Sequence, residues 1–471
     1  MRRVEAGWVY ALVLGLYALL VVFSTAHHEP WRDEGQAWLI VRDLSLPAVF
    51  GQMGSEGTPA FWHLVLFPLA KLGVPYTSEF VVHVLFAIAA VAILLWHAPF
   101  PLWFKVLFVF SYYMSFEYAV IARNYNLTVL ILFALAAIHQ ERIARALVYG
   151  LLVALLANTN THSFAMAAGL GLLFVVDAWR RRQLRGGVLV AAVTMALGGC
   201  LALLNVHSSS HNQMFGDRLA MNLKAPLVAV KNAFLPGFPN QAAIIGAAAM
   251  ALVAVVLWRR SRAALWLLVC GSSGLFAILV LKHFGGLRHH GLLLVFVIYA
   301  LWIAWDQRRD GSARLTERMV LWTMGALFIV AVPYSFRAHR ADAVGLYSGS
   351  RPMAAFMIHN GLQGRFLAAH KSAPTSAVLP FLPGKQAWYA DVQALGSFVS
   401  WNKAYVANSE ISSEEAAHRA MQAPEWGPGA LLLLNRPLAD PSAAGLILRH
   451  AVDAGIYTPN GEQMYLYEQG G

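Results

Sequence analysis

Charge is what this sequence has least of. Asp, Glu, Lys and Arg make up 13% of its 471 residues, against about 25% in soluble globular proteins. So little charge cannot cover a water-facing surface of this size, so lipid must cover much of it. Cysteine is nearly absent too. The two present, Cys200 and Cys270, lie inside apolar runs, which argues against a disulfide framework. There is no Walker A loop, dinucleotide fingerprint, HExxH zinc motif or GxSxG elbow. That argues against an ATP-driven transporter built from this chain alone. No internal repeat or low-complexity stretch stands out. The net charge of +11 would suit nucleic acid, but the basic residues come in short clusters between apolar spans. Membrane topology demands that pattern, and no nucleic-acid partner is expected.

What the chain has in abundance is hydrophobic sequence, 58% of it. A spanning helix needs about 20 mostly apolar residues. Eleven runs qualify, centred near Leu16, Ala89, Val109, Leu132, Leu152, Leu170, Ala196, Ala251, Leu275, Phe296 and Phe328. The start, Met1-Arg2-Arg3 and then an apolar run, has the look of a signal peptide. The run from about Gly7 to Phe23 is long for one, and no small-x-small cleavage site precedes His27. It reads as a retained first helix.

With the N-terminus in the cytoplasm, alternation puts the richest basic clusters on the cytoplasmic side. These are Arg2-Arg3, Arg142 with Arg145, Arg180 to Arg185, Arg259 to Arg262, and Arg308 to Arg318. That is the positive-inside bias. The expected architecture is an α-helical polytopic membrane protein of about eleven transmembrane helices. The membrane part covers residues 1–336. Outside lie a long first loop (26–78), a second loop from His207 to Asn240, and a tail (337–471).

The first loop should hold two interfacial helices, one over Gln36 to Leu44 lying along the membrane surface, the other over Phe61 to Leu72. In the second loop Leu219, Leu223, Leu227 and Val230 repeat at helical spacing, giving a helix from about Asp217 to Phe234. The tail is less apolar and rich in turn residues. Ser412-x-x-Glu415 reads as a capping box opening a helix to about Met421. Ala430 to Leu434 and Gln463 to Glu468 read as strands. Asp440-Pro441 should start a further helix, stopped by Gly455. A small α/β domain outside the membrane is expected.

Candidate chemistry starts at Glu29-Pro30-Trp31-Arg32-Asp33-Glu34, where the chain should leave the bilayer. Asp33 and Glu34 are adjacent, so on a helix their side chains diverge by about 100°. One should face a reaction while the other is structural or binds a metal; which is which stays open. A carboxylate shielded by Trp31 and Trp38 would have a raised pKa, suited to a general base acting on an acceptor hydroxyl. Glu56, before the turn Gly57-Thr58-Pro59, could orient an acceptor. Arg123, in Arg123-Asn124-Tyr125, could grip a lipid phosphate by bidentate hydrogen bonds, snorkel to the interface, or pair with Glu117. His162, in the turn 158–162, could donate to phosphate or move a proton. Lys282 to His290 is the densest external cationic cluster of the membrane part. It runs against the positive-inside bias and asks for an anionic partner, phosphate or diphosphate, near Arg288 and His289. Adjacent His289 and His290 lack metal-ligand spacing. No cofactor is certain from the sequence, and a divalent metal is possible.

In order and spacing these motifs resemble the GT-C class of membrane glycosyltransferases. The likeness is to bacterial relatives of the protein O-mannosyltransferases and of the aminoarabinose lipid A transferase. It rests on Trp31-Arg32-Asp33-Glu34, Glu56-Gly57-Thr58-Pro59-Ala60-Phe61-Trp62, Arg123-Asn124-Tyr125 and Thr161-His162. It is good over about residues 7–180, weaker to about 336 and absent in the tail. Relatives often have histidine where Thr58 stands. The resemblance implies inverting transfer of a sugar from a polyprenyl-phosphate donor to a lipid, glycan or protein hydroxyl. The reaction would take place on the outer face of the bacterial inner membrane. By that analogy Asp33 is the catalytic carboxylate and general base, and Arg123 and Arg288 hold the carrier phosphate. Other readings are a flippase of lipid-linked sugars, an O-antigen polymerase or ligase using a diphosphate carrier, and a non-catalytic assembly partner.

Overall fold

The computed structural model describes residues 2–207, 221–282, 284–306, 315–408, 410–453 and 462–470. Long apolar runs form the frame. Helix α1 (Arg2–His27) leads into three shorter helices of the first loop, α2 (Arg32–Asp43), α3 (Leu46–Glu56) and α4 (Phe61–Lys71). The bundle continues with α5 (Ser78–His97), α6 (Leu102–Val109), α7 (Tyr125–Ile138), α8 (Ala146–Ala157), α9 (Phe164–Arg180) and α10 (Gly187–Val206). Further along are α11 (Ala225–Phe234), α12 (Ala243–Arg260), α13 (Arg262–Leu281), α14 (Leu287–Asp306) and α15 (Leu315–Val344).

Among the described residues eight helices are long and apolar enough to cross a membrane: α1, α5, α9, α10, α12, α13, α14 and α15. Eight of the eleven expected centres fall on them. The centres near Val109, Leu132 and Leu152 fall on shorter helices of 8, 14 and 12 residues. For α6 the reason is visible just beyond it, where the chain makes a π-helical turn over Tyr113–Glu117. Ser111 and Ser115 there bond back to the carbonyls of Phe108 and Ser111. Tyr112 donates to Glu117 at 2.5 Å. Such single π turns interrupt regular helices and gather at functional sites.

Helix α14 is the central post. It is apolar all round and buried on every side from His289 to Trp305, as a helix without a polar face must be. Its first turn carries Arg288.

The first loop differs in part from expectation. Helix α4 forms where expected. Helix α2 does not present its apolar face outward but is clamped between the bundle and the tail. Ile40 and Val41 pack with Trp62 and Leu66 of α4, while Leu39 enters the core of the tail. Gly35 makes this possible, because a Cβ there would stand 3.0 Å from the Pro380 ring. Helix α3 was not foreseen. In the second loop α11 starts at Ala225; Asp217 and Leu219 lie outside the described residues.

The tail follows α15 with α16 (Ser350–His359) and a six-stranded sheet. The strands are β1 (Leu367–Ala369), β2 (Ala387–Tyr389), β3 (Ala394–Gly396), β4 (Leu431–Leu434), β5 (Leu446–Val452) and β6 (Met464–Gln469). Their order is β3-β2-β1-β4-β6-β5; β1 pairs in parallel with β2 and β4, and the other pairings are antiparallel. Strands β4 and β6 match the expected segments. The Ser412 side chain accepts from the Glu415 amide and caps Ser413–Ala420, as the box required. The helix expected after Asp440-Pro441 is instead one 3-10 turn, Ser442–Ala444, and then β5. Asp440 does cap it, accepting from Ser442 and Ala443. The turn ends at Gly445, whose φ of 64° turns the chain into the sheet. Gly455 lies outside the described residues.

Candidate active site

The site forms where α1 ends, α2 begins and α14 begins. Helix α2 opens with Glu34 reaching back to the Trp31 amide at 3.1 Å, the carboxylate half of a capping box. This fixes the first turn, and with it the divergence of the two acidic side chains.

Glu34 turns inward and is fully buried. One oxygen accepts from the Ala122 amide at 2.7 Å; the other takes His28 at 3.0 Å and the Trp31 amide. His28 spans to Asp342, near the end of α15, at 3.0 Å. Burial works against charge on His28, but the carboxylates of Glu34 and Asp342 outweigh it and raise the imidazole to about 10. Glu34 is thus tied up in a bond network joining α1, α2, α15 and the segment before α7.

Asp33 turns the other way and is half-buried. One carboxylate oxygen contacts Arg123 at 2.8 Å and Arg288 at 2.9 Å; the other lies 3.8 Å from Arg32. Arg123 also donates to the Asp33 carbonyl at 3.0 Å. Burial pushes the Asp33 carboxyl up, but Arg123, Arg288 and Arg32 more than reverse that, leaving it below the ordinary range. The raised pKa expected from the tryptophans is therefore corrected. Trp38 faces Tyr76, away from Asp33, and Trp31 lies under the guanidiniums of Arg288 and Arg32 at 5.6 and 5.5 Å.

The other expected residues converge on the same place. Tyr125 bonds Arg288 and stands edge-on to His289 with ring centroids 5.5 Å apart. His289 and His162 lie ring against ring at 4.5 Å. His289 accepts from the Gly286 amide at 2.8 Å, which shapes the turn before α14. His283, part of the same cluster in sequence, lies outside the described residues.

Glu56, half-buried, ends α3. Its turn is pinned from both sides: Thr58 accepts from Asn124 at 3.0 Å, and the Gly57 carbonyl accepts from Thr161 at 2.7 Å. Gln36 and Gln52 donate to one carboxylate oxygen at 3.0 and 3.1 Å. Burial raises Glu56 to about 7, against the opposing effect of those amides, of Arg123 and of Trp401.

The tail shares this region through residues that the sequence did not single out. Gln36 exchanges two bonds with Val399, Ser397 bonds Asp43, and Trp401 bonds Glu56. Buried Glu462 accepts from the Arg32 amide at 3.2 Å, and burial raises its carboxyl to about 7. Only His28, beside the acidic pair, carried a signal that could have been read. No group of three or more His, Cys, Asp or Glu that could hold a metal occurs among the described residues.

No family model and no curated protein sequence matches the chain. Its fold is matched by a solved structure, ArnT from Cupriavidus metallidurans bound to undecaprenyl phosphate. The two align over 98% of each chain with a TM-score of 0.56 and 11% identity. The architecture is thus the GT-C-like one expected from the sequence, a helical membrane part followed by a small sheet-containing tail.

Proposed function

We propose that this protein transfers a sugar from a polyprenyl-phosphate donor to an acceptor hydroxyl, with inversion, at the outer face of a bacterial inner membrane. The observation that carries the reading is the pair of arginines meeting on one oxygen of Asp33 at the open end of α14. Two half-buried guanidiniums held 2.8 and 2.9 Å from one carboxylate are a preformed oxyanion receptor. A phosphate entering beside Asp33 finds donors already oriented. The likeness in fold to a protein solved with undecaprenyl phosphate supports a polyprenyl phosphate as that ligand.

Phosphate is also the leaving group, and its charge grows as the glycosidic bond breaks. Fixed cations at that point stabilise the transition state more than the ground state. The donor carries an activated sugar, so no nucleotide is needed. His162, His289 and Tyr125 would border the sugar or the phosphate. Glu34, with its bonds committed, would hold the frame. Asp33 would sit at the reacting centre. It becomes a competent base only if the phosphate draws Arg123 and Arg288 away from it; otherwise another carboxylate takes the acceptor's proton.

The test is transfer of radiolabelled sugar in nanodiscs from undecaprenyl-phosphate-linked sugars to a membrane extract. Wild type should label an acceptor, and Asp33→Asn should not. Undiminished transfer in Asp33→Asn would refute the reading.

A further inference from the structure

The geometry points to Glu56 as the group that takes the proton from the acceptor hydroxyl, with Asp33 kept as the anchor of the arginines. This inference rests on the transferase reading above.

Asp33 is poorly placed to gain a proton. One of its oxygens is shared by Arg123 and Arg288 and its carbonyl is also bound by Arg123, with Arg32 close to the second oxygen. Protonation there would strip two guanidiniums of their partner just when they must hold a phosphate. Glu56 has no such contact. Its bonded partners are uncharged: Gln36 from α2, Gln52 from α3 and Trp401 from the tail. The charged group that bears on it is Arg123, from the segment before α7. The anchors on Gly57 and Thr58 fix its turn to the His162 loop and the Arg123 segment. Glu56 therefore lies within the field of Arg123, one of the two cations that would hold the carrier, and it is partly exposed at the end of α3. A carboxyl that burial raises to about 7 has a proton affinity matched to neutral pH.

In the step, the acceptor O–H bond breaks and its proton passes to the Glu56 carboxylate. The oxygen's electron pair forms the bond to the anomeric carbon. The bond from that carbon to the carrier phosphate breaks, its electrons leaving with the phosphate. Phosphodiester monoanion and carboxylate become phosphate dianion and carboxylic acid, so charge balances. Trp401 would tie this step to the tail, because its indole favours the ionised form of Glu56.

The experiment compares wild type, Glu56→Gln and Glu56→Asp in nanodiscs. Undecaprenyl phosphate binding is measured at pH 8, and transfer from labelled undecaprenyl-phosphate sugars between pH 5 and 9. In wild type the rate should fall about tenfold per unit below pH 7. Glu56→Gln should bind undecaprenyl phosphate within twofold of wild type, transfer about 100-fold more slowly and lose the acid limb. Glu56→Asp should restore part of the rate and an acid limb. Transfer by Glu56→Gln within threefold of wild type, or with the acid limb intact, would overturn the assignment while leaving the transferase standing. No transfer by wild type from any of these donors would overturn both.

Discussion

The two ends of α14 use the same kinds of residue to opposite effect. At its far end arginines are spent on the helices themselves. Arg260 donates to the last carbonyls of α14, at Ala304 and Trp305, pairs with Glu317 and covers the Trp305 ring. Arg142 bonds the His139 carbonyl and pairs with Asp177. Cations there satisfy helix C-termini, where carbonyls lack partners and the dipole is negative. At the other end, about 24 Å away by helical rise, Arg288 and Arg123 come from different elements and meet on one oxygen of Asp33. A charge that closes a helix end is used up by carbonyls of that end; two charges that converge from different elements on one carboxylate oxygen are, in the reading proposed above, the ones that would take the carrier phosphate.

The sharpest way to break this contrast is Asp33→Asn. Removing one member of a charged network at the open end should lower transfer by about 10³-fold, a cost comparable to breaking a buried ion pair. Transfer kinetics with labelled donor check it. Next comes Glu34→Ala, which should act on stability. Loss of a fully buried carboxylate bonded to His28 and the Ala122 amide should cost about 3–5 kcal/mol, read by thermal unfolding in detergent.

The same network gives a pH signature. His28 is raised to about 10 in the folded protein, so its contribution to stability is complete below an unfolded value of about 6.5 and is lost as pH rises through 10. Wild type should lose thermal stability from about pH 6.5 to 10, and His28→Gln should flatten that loss. A smaller effect is expected from Trp401→Phe. Without the indole donor the Glu56 carboxylate loses a hydrogen bond, and the acid limb of the transfer profile should move up by about one unit. The smallest effect belongs to the far end. Arg145 and Glu141 form an exposed pair, worth under about 0.5 kcal/mol. Arg145→Ala should leave both transfer and melting temperature within error.

Much of the frame was legible because lipid imposes it. Eight apolar runs became long helices; of the three that did not, the one near Val109 stops just before the π turn, where tyrosine and serine hydroxyls bond locally. Asp33, Arg123 and Arg288 stood out in the sequence as charges at the edge of apolar spans, though each also had a structural reading there, and the structure brings the three together. The state of Asp33 was not. Its sequence neighbours are tryptophans, but its spatial neighbours are arginines from distant elements. Nor could sequence divide Asp33 from Glu34, since the choice is made by Asp342 and the Ala122 amide, far along the chain. Helix α2 misled because an apolar stripe looks the same whether lipid or a folded tail covers it. In the tail, capping chemistry at Ser412 was readable, whereas Asp440 capped a single turn that Gly445 cut short.

The most direct measurement is equilibrium binding of undecaprenyl phosphate in nanodiscs to wild type, Arg123→Ala, Arg288→Ala and Arg260→Ala. The expected result is a loss of at least about 30-fold in affinity for each of the first two variants, the scale of a truncated hydrogen-bonded charge pair. Arg260→Ala should bind like wild type. Equal affinity in all four proteins, or an equal loss in all three variants, would contradict the assignment of the carrier phosphate to the open end of α14.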